Sequence, residues 1–131
     1  MSHVSGDKKY ANAVDRAMDE VLAASAGKGL APIYLSYDPP TRFVPSKITF
    51  GAMGDSYYEY LLKQWLQTGK KEHKFKDQWI LAMNEMHEKM VKKTAGGDVY
   101  IAEMSWTGEI SKRMDHLACF VGGMLELGSN F

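Results

Sequence analysis

The C-terminal segment of this chain predicts a helix that is apolar on nearly every face. We expect it to run from Asp115 to Leu127, with Gly128 as its stop. Its apolar residues are Leu117, Ala118, Phe120, Val121, Met124, Leu125 and Leu127. Such a helix needs cover on all sides. A glycine inside a helix destabilises it by about 0.8–1.0 kcal/mol relative to alanine. The pair Gly122–Gly123 is therefore typical of a helix that another backbone approaches closely. We therefore expect this helix to need more neighbours than the rest of the chain supplies.

Three more helices are predicted upstream, because apolar residues recur there at the spacing of one helical face. They span Tyr10–Ala26, Ser56–Thr68 and Phe75–Lys93, with stops at Gly27, Gly69 and Gly96–Gly97. Short extended segments are expected at Ala31–Ser36, Lys47–Phe50 and Val99–Glu103, with turns at Asp38–Thr41 and Thr107–Gly108. The strand–helix–strand alternation of α/β proteins does not occur. The sequence therefore predicts an all-α fold with short β segments.

Charge and hydropathy limit the classes of partner. The 131 residues contain 16 Lys plus Arg and 16 Asp plus Glu, a formal net charge of zero that gives no support to a nucleic-acid ligand. No apolar run reaches the roughly 18 residues that cross a bilayer, and the N-terminal segment lacks the apolar core of a signal peptide. We expect any membrane anchor or targeting segment only upstream of this sequence. The length suggests one domain.

The familiar metal and phosphate motifs do not occur. His87–Glu88 is followed by Val91 where a zinc-binding helix needs its second histidine. Cys119 has no partner at CxxC spacing. The glycine-rich segment Gly51–Gly54 precedes a predicted helix and is open to two interpretations, a cradle for an anion or a tight turn into the helix.

Asp55 and Glu59 are the first candidate catalytic pair. They are four residues apart, so both can face one side of a helix N-terminus. Two carboxylates in a cleft suit glycoside hydrolysis, in which one donates a proton and the other activates water. A purely structural interpretation competes with this one. Ser56 and Glu59 fit a capping box, and Asp55 is favourable at the positive end of a helix.

Asp115 and His116 begin the last predicted helix. Aspartate there is an ordinary N-cap residue, while a neighbouring histidine can bind a ligand or transfer a proton. Other residues could contribute to a binding surface or could equally be core. These are Met83, Met86 and Met90, a pliable stripe, and Tyr57, Tyr58, Tyr60 and Trp65, which could stack on sugar rings.

Cys119 is the only cysteine. Taken alone, it predicts either a small buried hydrophobe in a reducing compartment or an odd cysteine whose disulfide partner is elsewhere.

Three segments carry a resemblance to a known family. Ile48–Gln67, ITFGAMGDSYYEYLLKQWLQ, resembles a signature block of glycoside hydrolase family 47. Lys112–Gly128, KRMDHLACFVGGMLELG, is similar to a second block of that family, and Gly29–Ser36, GLAPIYLS, is similar to a third. The three occur in the family's order, which makes the resemblance more specific than any single motif.

The resemblance implies an (α/α)7 barrel and a catalytic domain several times longer than this chain. Residues 1–131 would then be an internal fragment, with the rest of the domain as the missing neighbour. The implied reaction is inverting hydrolysis of α-1,2-linked mannose from high-mannose N-glycans in the lumen of the Golgi or endoplasmic reticulum. The implied cofactor is Ca²⁺, whose protein ligand is expected outside this chain, as are the remaining catalytic carboxylates. The isolated chain is therefore expected to be inactive.

The resemblance also suggests roles for individual residues. Asp55 matches an essential active-site carboxylate, His116 a histidine near the bound sugar, and Glu59 a supporting glutamate. Met53 stands where endoplasmic-reticulum members carry arginine, which implies a broader, Golgi-like branch specificity. Cys119 matches a disulfide-forming cysteine with its partner downstream, implying an oxidising compartment.

Two alternatives to a trimming enzyme stay open. One is a lectin-like, degradation-enhancing homologue that binds mannose glycans with little turnover. The other is a non-enzymatic helical interaction module.

Overall fold

A computed structural model describes residues 1–36 and 38–131. The helices among these residues are α1 (Ser2–Ser5), α2 (Lys9–Ser25), α3 (Asp55–Gln67), α4 (His73–Lys89) and α5 (Val121–Ser129), with a 3-10 turn at His116–Phe120. The predicted first and second helices are confirmed as α2 and α3, to within a residue at each end. In the described part of the chain, no helix combines the length and apolar character needed to cross a bilayer.

The strands form a small antiparallel sheet and a separate hairpin. They are β1 (Pro32–Leu35), β2 (Phe43–Ile48), β3 (Val91–Lys93), β4 (Val99–Ile101), β5 (Glu103–Met104) and β6 (Ile110–Ser111). The sheet has the order β1-β2-β5-β6, and β3 pairs with β4. Ile48 is a central residue of the sheet, since it pairs with Pro32 on one side and Met104 on the other.

The core lies between α3, α4 and the sheet. Tyr58 of α3 is fully buried, and its ring stacks on Phe50 with centroids 3.9 Å apart. Its hydroxyl accepts the Ala31 N–H at 3.1 Å, which ties the start of β1 to α3. The methionine stripe of α4 is also buried, at Met83, Met86 and Met90. These methionines are therefore core residues, and the alternative of a partner surface is wrong for them.

The third predicted helix ends earlier than expected. The apolar pattern predicts helix as far as Lys93, but α4 stops at Lys89 and Val91–Lys93 form a strand. This strand pairs in register with Val99–Ile101, and β-branched Val91 suits an extended backbone. Gly96–Gly97 therefore belong to the hairpin turn, where Gly97 has a φ of 95°. Cross-strand pairing outweighs the apolar periodicity that favours helix.

The C-terminal helix begins differently from the prediction. Its first residues form a 3-10 turn, and the α-helix starts only at Val121. Gly128 lies inside α5 and is not its stop, and a Cβ at this position would collide with the Trp79 ring of α4. A Cβ built at Gly122 or Gly123 would meet no heavy atom within 4 Å among the described residues.

The outer face of this segment is uncovered in the described chain. Its exposed apolar residues are Leu117, Leu125 and Leu127, which retain 43%, 38% and 41% of their accessible surface. The expectation that the helix lacks neighbours within this chain agrees with that exposure.

Glu85 of α4 fastens the chain segment that leads into β1. Its carboxylate accepts the N–H groups of Gly29 at 3.1 Å and Leu30 at 3.4 Å. Gly29 packs directly on α4, since a Cβ there would lie 2.5 Å from the Ala82 nitrogen. Burial alone would raise the pKa of Glu85, but the Gly29 N–H and the Lys89 ammonium outweigh it and hold the pKa below its ordinary value.

Replacing Glu85 with glutamine should lower stability by about 1 kcal/mol at neutral pH, because the amide can accept only one of the two N–H groups. A lowered folded-state pKa means that the carboxylate stabilises the fold above its ordinary pKa of 4.5 and loses this effect as the pH falls. The difference in melting temperature between wild type and Glu85→Gln should therefore shrink below that pH. Glu88→Gln, at an exposed position of the same helix, is the control. Equal melting curves for Glu85→Gln and Glu88→Gln would contradict the prediction.

Candidate active site

The turn before α3 is closed by its own backbone and by neighbouring side chains. The N–H groups of Gly54 and Asp55 donate to the Gly51 carbonyl at 3.1 and 2.9 Å. The Gly51 N–H donates to the Thr49 hydroxyl at 2.9 Å. A Cβ at Gly54 would collide with the Thr49 carbonyl. These three N–H groups are already satisfied, which favours the tight-turn interpretation over the anion cradle.

Asp55 is the first residue of α3, at the positive end of the helix. Its carboxylate accepts the Ser56 N–H at 2.8 Å and is partly exposed. The predicted capping box does not form, because Gly54 occupies the N-cap position and makes no side-chain cap. Glu59 instead pairs with Lys63 one turn further along the helix. The capping-box interpretation of Glu59 is therefore wrong. Asp55, by contrast, lies at the positive end of α3, where a negative charge is favourable.

The turn is anchored to the sheet through a buried threonine. Thr49 retains only 1% of its accessible surface, and its hydroxyl donates to Glu103 at 3.1 Å. Glu103 also pairs with Lys47 at 3.0 Å. Sequence reasoning missed this link, because Thr49 and Glu103 are 54 residues apart and belong to different predicted segments.

Asp115 joins the two signature segments directly. One carboxylate oxygen accepts the Leu117 N–H at 2.9 Å, so the predicted N-cap is confirmed. The other accepts the Ala52 N–H at 3.3 Å, across 63 residues of sequence. These N–H groups, with that of Leu117 the stronger influence, hold the pKa of Asp115 below its ordinary range. A Cβ at Gly51 would overlap the Asp115 side chain, so glycine is required for this contact.

His116 follows Asp115 and faces outward. Its side chain is 89% exposed, and its Nδ1 lies 3.4 Å from an Asp115 carboxylate oxygen. The exposed ring is accessible to a ligand. The structure thus brings the segment that carries His116 against the turn that leads into Asp55.

Met53 lies at the apex of the same turn. It is 61% exposed and has a φ of 74°, a left-handed conformation uncommon for residues other than glycine. It lines a groove of about 360 Å³ together with Tyr57 and Tyr60. Tyr60 is exposed, so stacking on a sugar ring is open to it, whereas Tyr58 and Trp65 are buried in the core. Tyr57 is half-buried, and burial raises the pKa of its hydroxyl, which accepts a hydrogen bond from Gln78 at 3.2 Å.

Cys119 is exposed. The interpretation of it as a small buried hydrophobe is therefore wrong for this chain. Its place in the 3-10 turn directs it away from the core, which neighbouring Ala118 enters instead.

Among residues 1–36 and 38–131, no three His, Cys, Asp or Glu side chains cluster closely enough to hold a metal ion. These residues by themselves therefore do not fit a complete Ca²⁺ site, which needs several oxygen ligands around one point.

The chain is similar in sequence to proteins of a known family. The sequence model of glycosyl hydrolase family 47 matches residues 1–131. Mannosyl-oligosaccharide 1,2-alpha-mannosidase MNS3 of Arabidopsis thaliana is 39% identical over 98% of this chain and 22% of its own length. Mannosyl-oligosaccharide 1,2-alpha-mannosidase IB of Mus musculus is 37% identical over 99% of the chain and 20% of its own length. The chain thus spans about a fifth of these curated relatives.

A solved structure shares the fold. The alpha-1,2-mannosidase from Trichoderma reesei superposes with a TM-score of 0.83 at 23% identity, over 98% of this chain and 27% of that one. Its fold is an (α/α)7 barrel, of which the described helices form a part.

Substituting Gly51 with alanine should destabilise the protein by about 1–3 kcal/mol, as expected when a methyl group is forced into a packed contact. The new Cβ would overlap Asp115 and push the turn away from the C-terminal segment. Chemical denaturation measures the loss. Gly96→Ala is the matched control, because a Cβ there meets only side-chain oxygens at 3.6 Å. A Gly51→Ala variant as stable as Gly96→Ala would show that the close contact is absent.

Proposed function

Because the chain belongs to glycosyl hydrolase family 47, we propose that it is an internal part of the catalytic domain of an α-1,2-mannosidase. The complete protein would hydrolyse terminal α-1,2-linked mannose of high-mannose N-glycans with inversion at the anomeric carbon. Relatives named mannosyl-oligosaccharide 1,2-alpha-mannosidase support the substrate class. The observation that carries the proposal is the Asp115 carboxylate, which joins the turn before Asp55 to the segment that presents His116.

Asp55 is the proposed catalytic carboxylate of this part of the site. Its partial exposure lets a water molecule reach it. Through such a water it can relay a proton toward the leaving glycosidic oxygen, a role within the reach of general acid–base catalysis. His116 is the proposed sugar contact, because its imidazole is almost fully exposed beside the same turn. Glu59 has a supporting role, since its pairing with Lys63 leaves it less free to act.

Inverting hydrolysis needs a second carboxylate on the opposite side of the scissile bond, with room for the attacking water. We assign this partner to the part of the protein outside the present chain. We also propose that the complete protein depends on Ca²⁺. The described residues do not form a calcium site, so the protein ligand would come from elsewhere in the domain.

The proposed location is the lumen of the secretory pathway. One relative, 35% identical over 98% of the chain, is named an endoplasmic reticulum mannosidase of Rattus norvegicus. The exposure of Cys119 leaves it accessible to a disulfide partner outside this chain, and an oxidising lumen is where such a bond persists.

Met53 is the proposed determinant of branch preference. Methionine offers no hydrogen-bond donor to a sugar hydroxyl, whereas arginine offers five. Its exposure at the apex of the turn places it where an incoming glycan branch can touch it. We propose a broad, Golgi-like specificity on this basis.

The complete protein should release mannose from high-mannose glycans, and Asp55→Asn should lower kcat by about 10²–10⁴-fold, the range of general acid–base catalysis. The melting temperature should change little, because the amide oxygen can still accept the Ser56 N–H. Asp77→Asn, at an exposed position of α4, is the control and should keep wild-type activity. The isolated 131-residue chain should release no mannose.

Two results would contradict parts of this proposal. Full activity of Asp55→Asn would remove the residue from catalysis, and mannose release by the isolated chain would show that the missing carboxylates are not needed. Glycan binding by the complete wild-type protein without any turnover would favour the lectin-like alternative.

Product mapping on the complete protein tests the role of Met53. Wild type should trim several branches, and Met53→Arg should narrow the products toward one isomer, because the guanidinium adds directional donors at the turn. Chromatography of the trimmed glycans against isomer standards measures the ratio. A wild-type protein that yields a single endoplasmic-reticulum-type isomer would contradict the proposal.

A further inference from the structure

We propose that Asp115 is a positioning residue, whose carboxylate fixes the turn before α3 against the start of the C-terminal segment and so sets where Asp55 lies relative to His116. The effect on the reaction rests on the function proposed above. The geometric effect does not, and it can be measured separately.

The second hydrogen bond of Asp115 is the informative one. An N-cap residue needs only one acceptor for the free N–H groups of its helix, and the bond to the Leu117 N–H at 2.9 Å supplies it. The bond to the Ala52 N–H at 3.3 Å gives the helix nothing. It leads instead to a segment 63 residues away in sequence. Asp115 therefore connects two segments in addition to capping one of them.

The contact between Asp115 and Ala52 leaves little freedom to the segments on either side of it. On one side, Ala52 lies inside a turn whose Gly54 and Asp55 N–H groups both bond the Gly51 carbonyl, so a shift of Ala52 moves Asp55 with it. Gly51 has no room for a Cβ beside Asp115, which keeps the two segments in contact. On the other side, His116 is the next residue after Asp115. Loss of the bond to Ala52 should therefore loosen Asp55 and His116 relative to each other.

Asp115→Ser separates the capping of the C-terminal segment from the connection to Ala52. Serine caps a helix about as well as aspartate, so the bond to the Leu117 N–H can survive, but its hydroxyl is a single short acceptor and cannot also hold the Ala52 N–H. The matched control is Asp7→Ser. The Asp7 carboxylate likewise accepts an N–H two residues on, from Lys9 at 2.9 Å, and carries no bond to a distant turn among the described residues.

In the complete protein, Asp115→Ser should lower kcat by about 10–100-fold, since displacements of about 1 Å in an active site cost rates of that order. KM should change far less than kcat, and the melting temperature should stay close to that of Asp7→Ser. Hydrogen exchange of the amides at residues 51–55 should become at least about tenfold faster, the change that corresponds to about 1.4 kcal/mol of lost local protection. Asp7→Ser should leave both kcat and this exchange unchanged.

Unchanged exchange at residues 51–55 would overturn the proposal, and so would faster exchange with wild-type kcat. If the wild-type protein releases no mannose, the proposed function fails, and the exchange result alone decides whether Asp115 holds the turn. Should Asp115→Ser fail to fold, Asp115→Asn undergoes the same two measurements. It keeps the shape but offers one oxygen for two N–H groups, so a smaller change in the same direction is expected.

Discussion

The burial of Tyr58 is the constraint on which the rest of the structure depends. Its ring fills the space between α3 and the residues that follow β2, and its hydroxyl accepts a backbone N–H at the start of β1. A buried phenol without a hydrogen bond would be costly, so the end of the α2–β1 connection must come to this point. Glu85 holds the same connection from α4. These contacts fix α3, α4 and the sheet relative to one another around the turn that leads into Asp55.

Helical periodicity is enough to locate α2 and α3, because their apolar faces are long and end near glycines. It fails where a competing interaction is not visible in local spacing. Val91 continues the apolar pattern of α4, but Val91–Lys93 pair with β4. Asp115 starts a 3-10 turn before the helix that it was expected to cap. The capping box at Ser56 is displaced because the glycine turn supplies the helix start.

The candidate site is predictable only where a local sequence motif marks its residues. Asp55 and His116 are identified by resemblance, and the structure places their segments side by side. The contact that joins them, from Asp115 to Ala52, spans 63 residues and has no sequence signature beyond a glycine and an aspartate. Thr49 and Glu103 escape prediction likewise, since a threonine next to a strand has many possible partners and only the folded chain selects one.

The left-handed backbone of Met53 limits how this site can vary during evolution. A residue with two heavy atoms on Cβ is strongly disfavoured at a φ of 74°, so valine, isoleucine and threonine are unsuitable there. Unbranched side chains of very different chemistry share the same backbone cost and can replace one another without moving the turn. Selectivity could therefore be altered at this one position by single substitutions, while Asp55, held through its N–H to the Gly51 carbonyl, keeps its place.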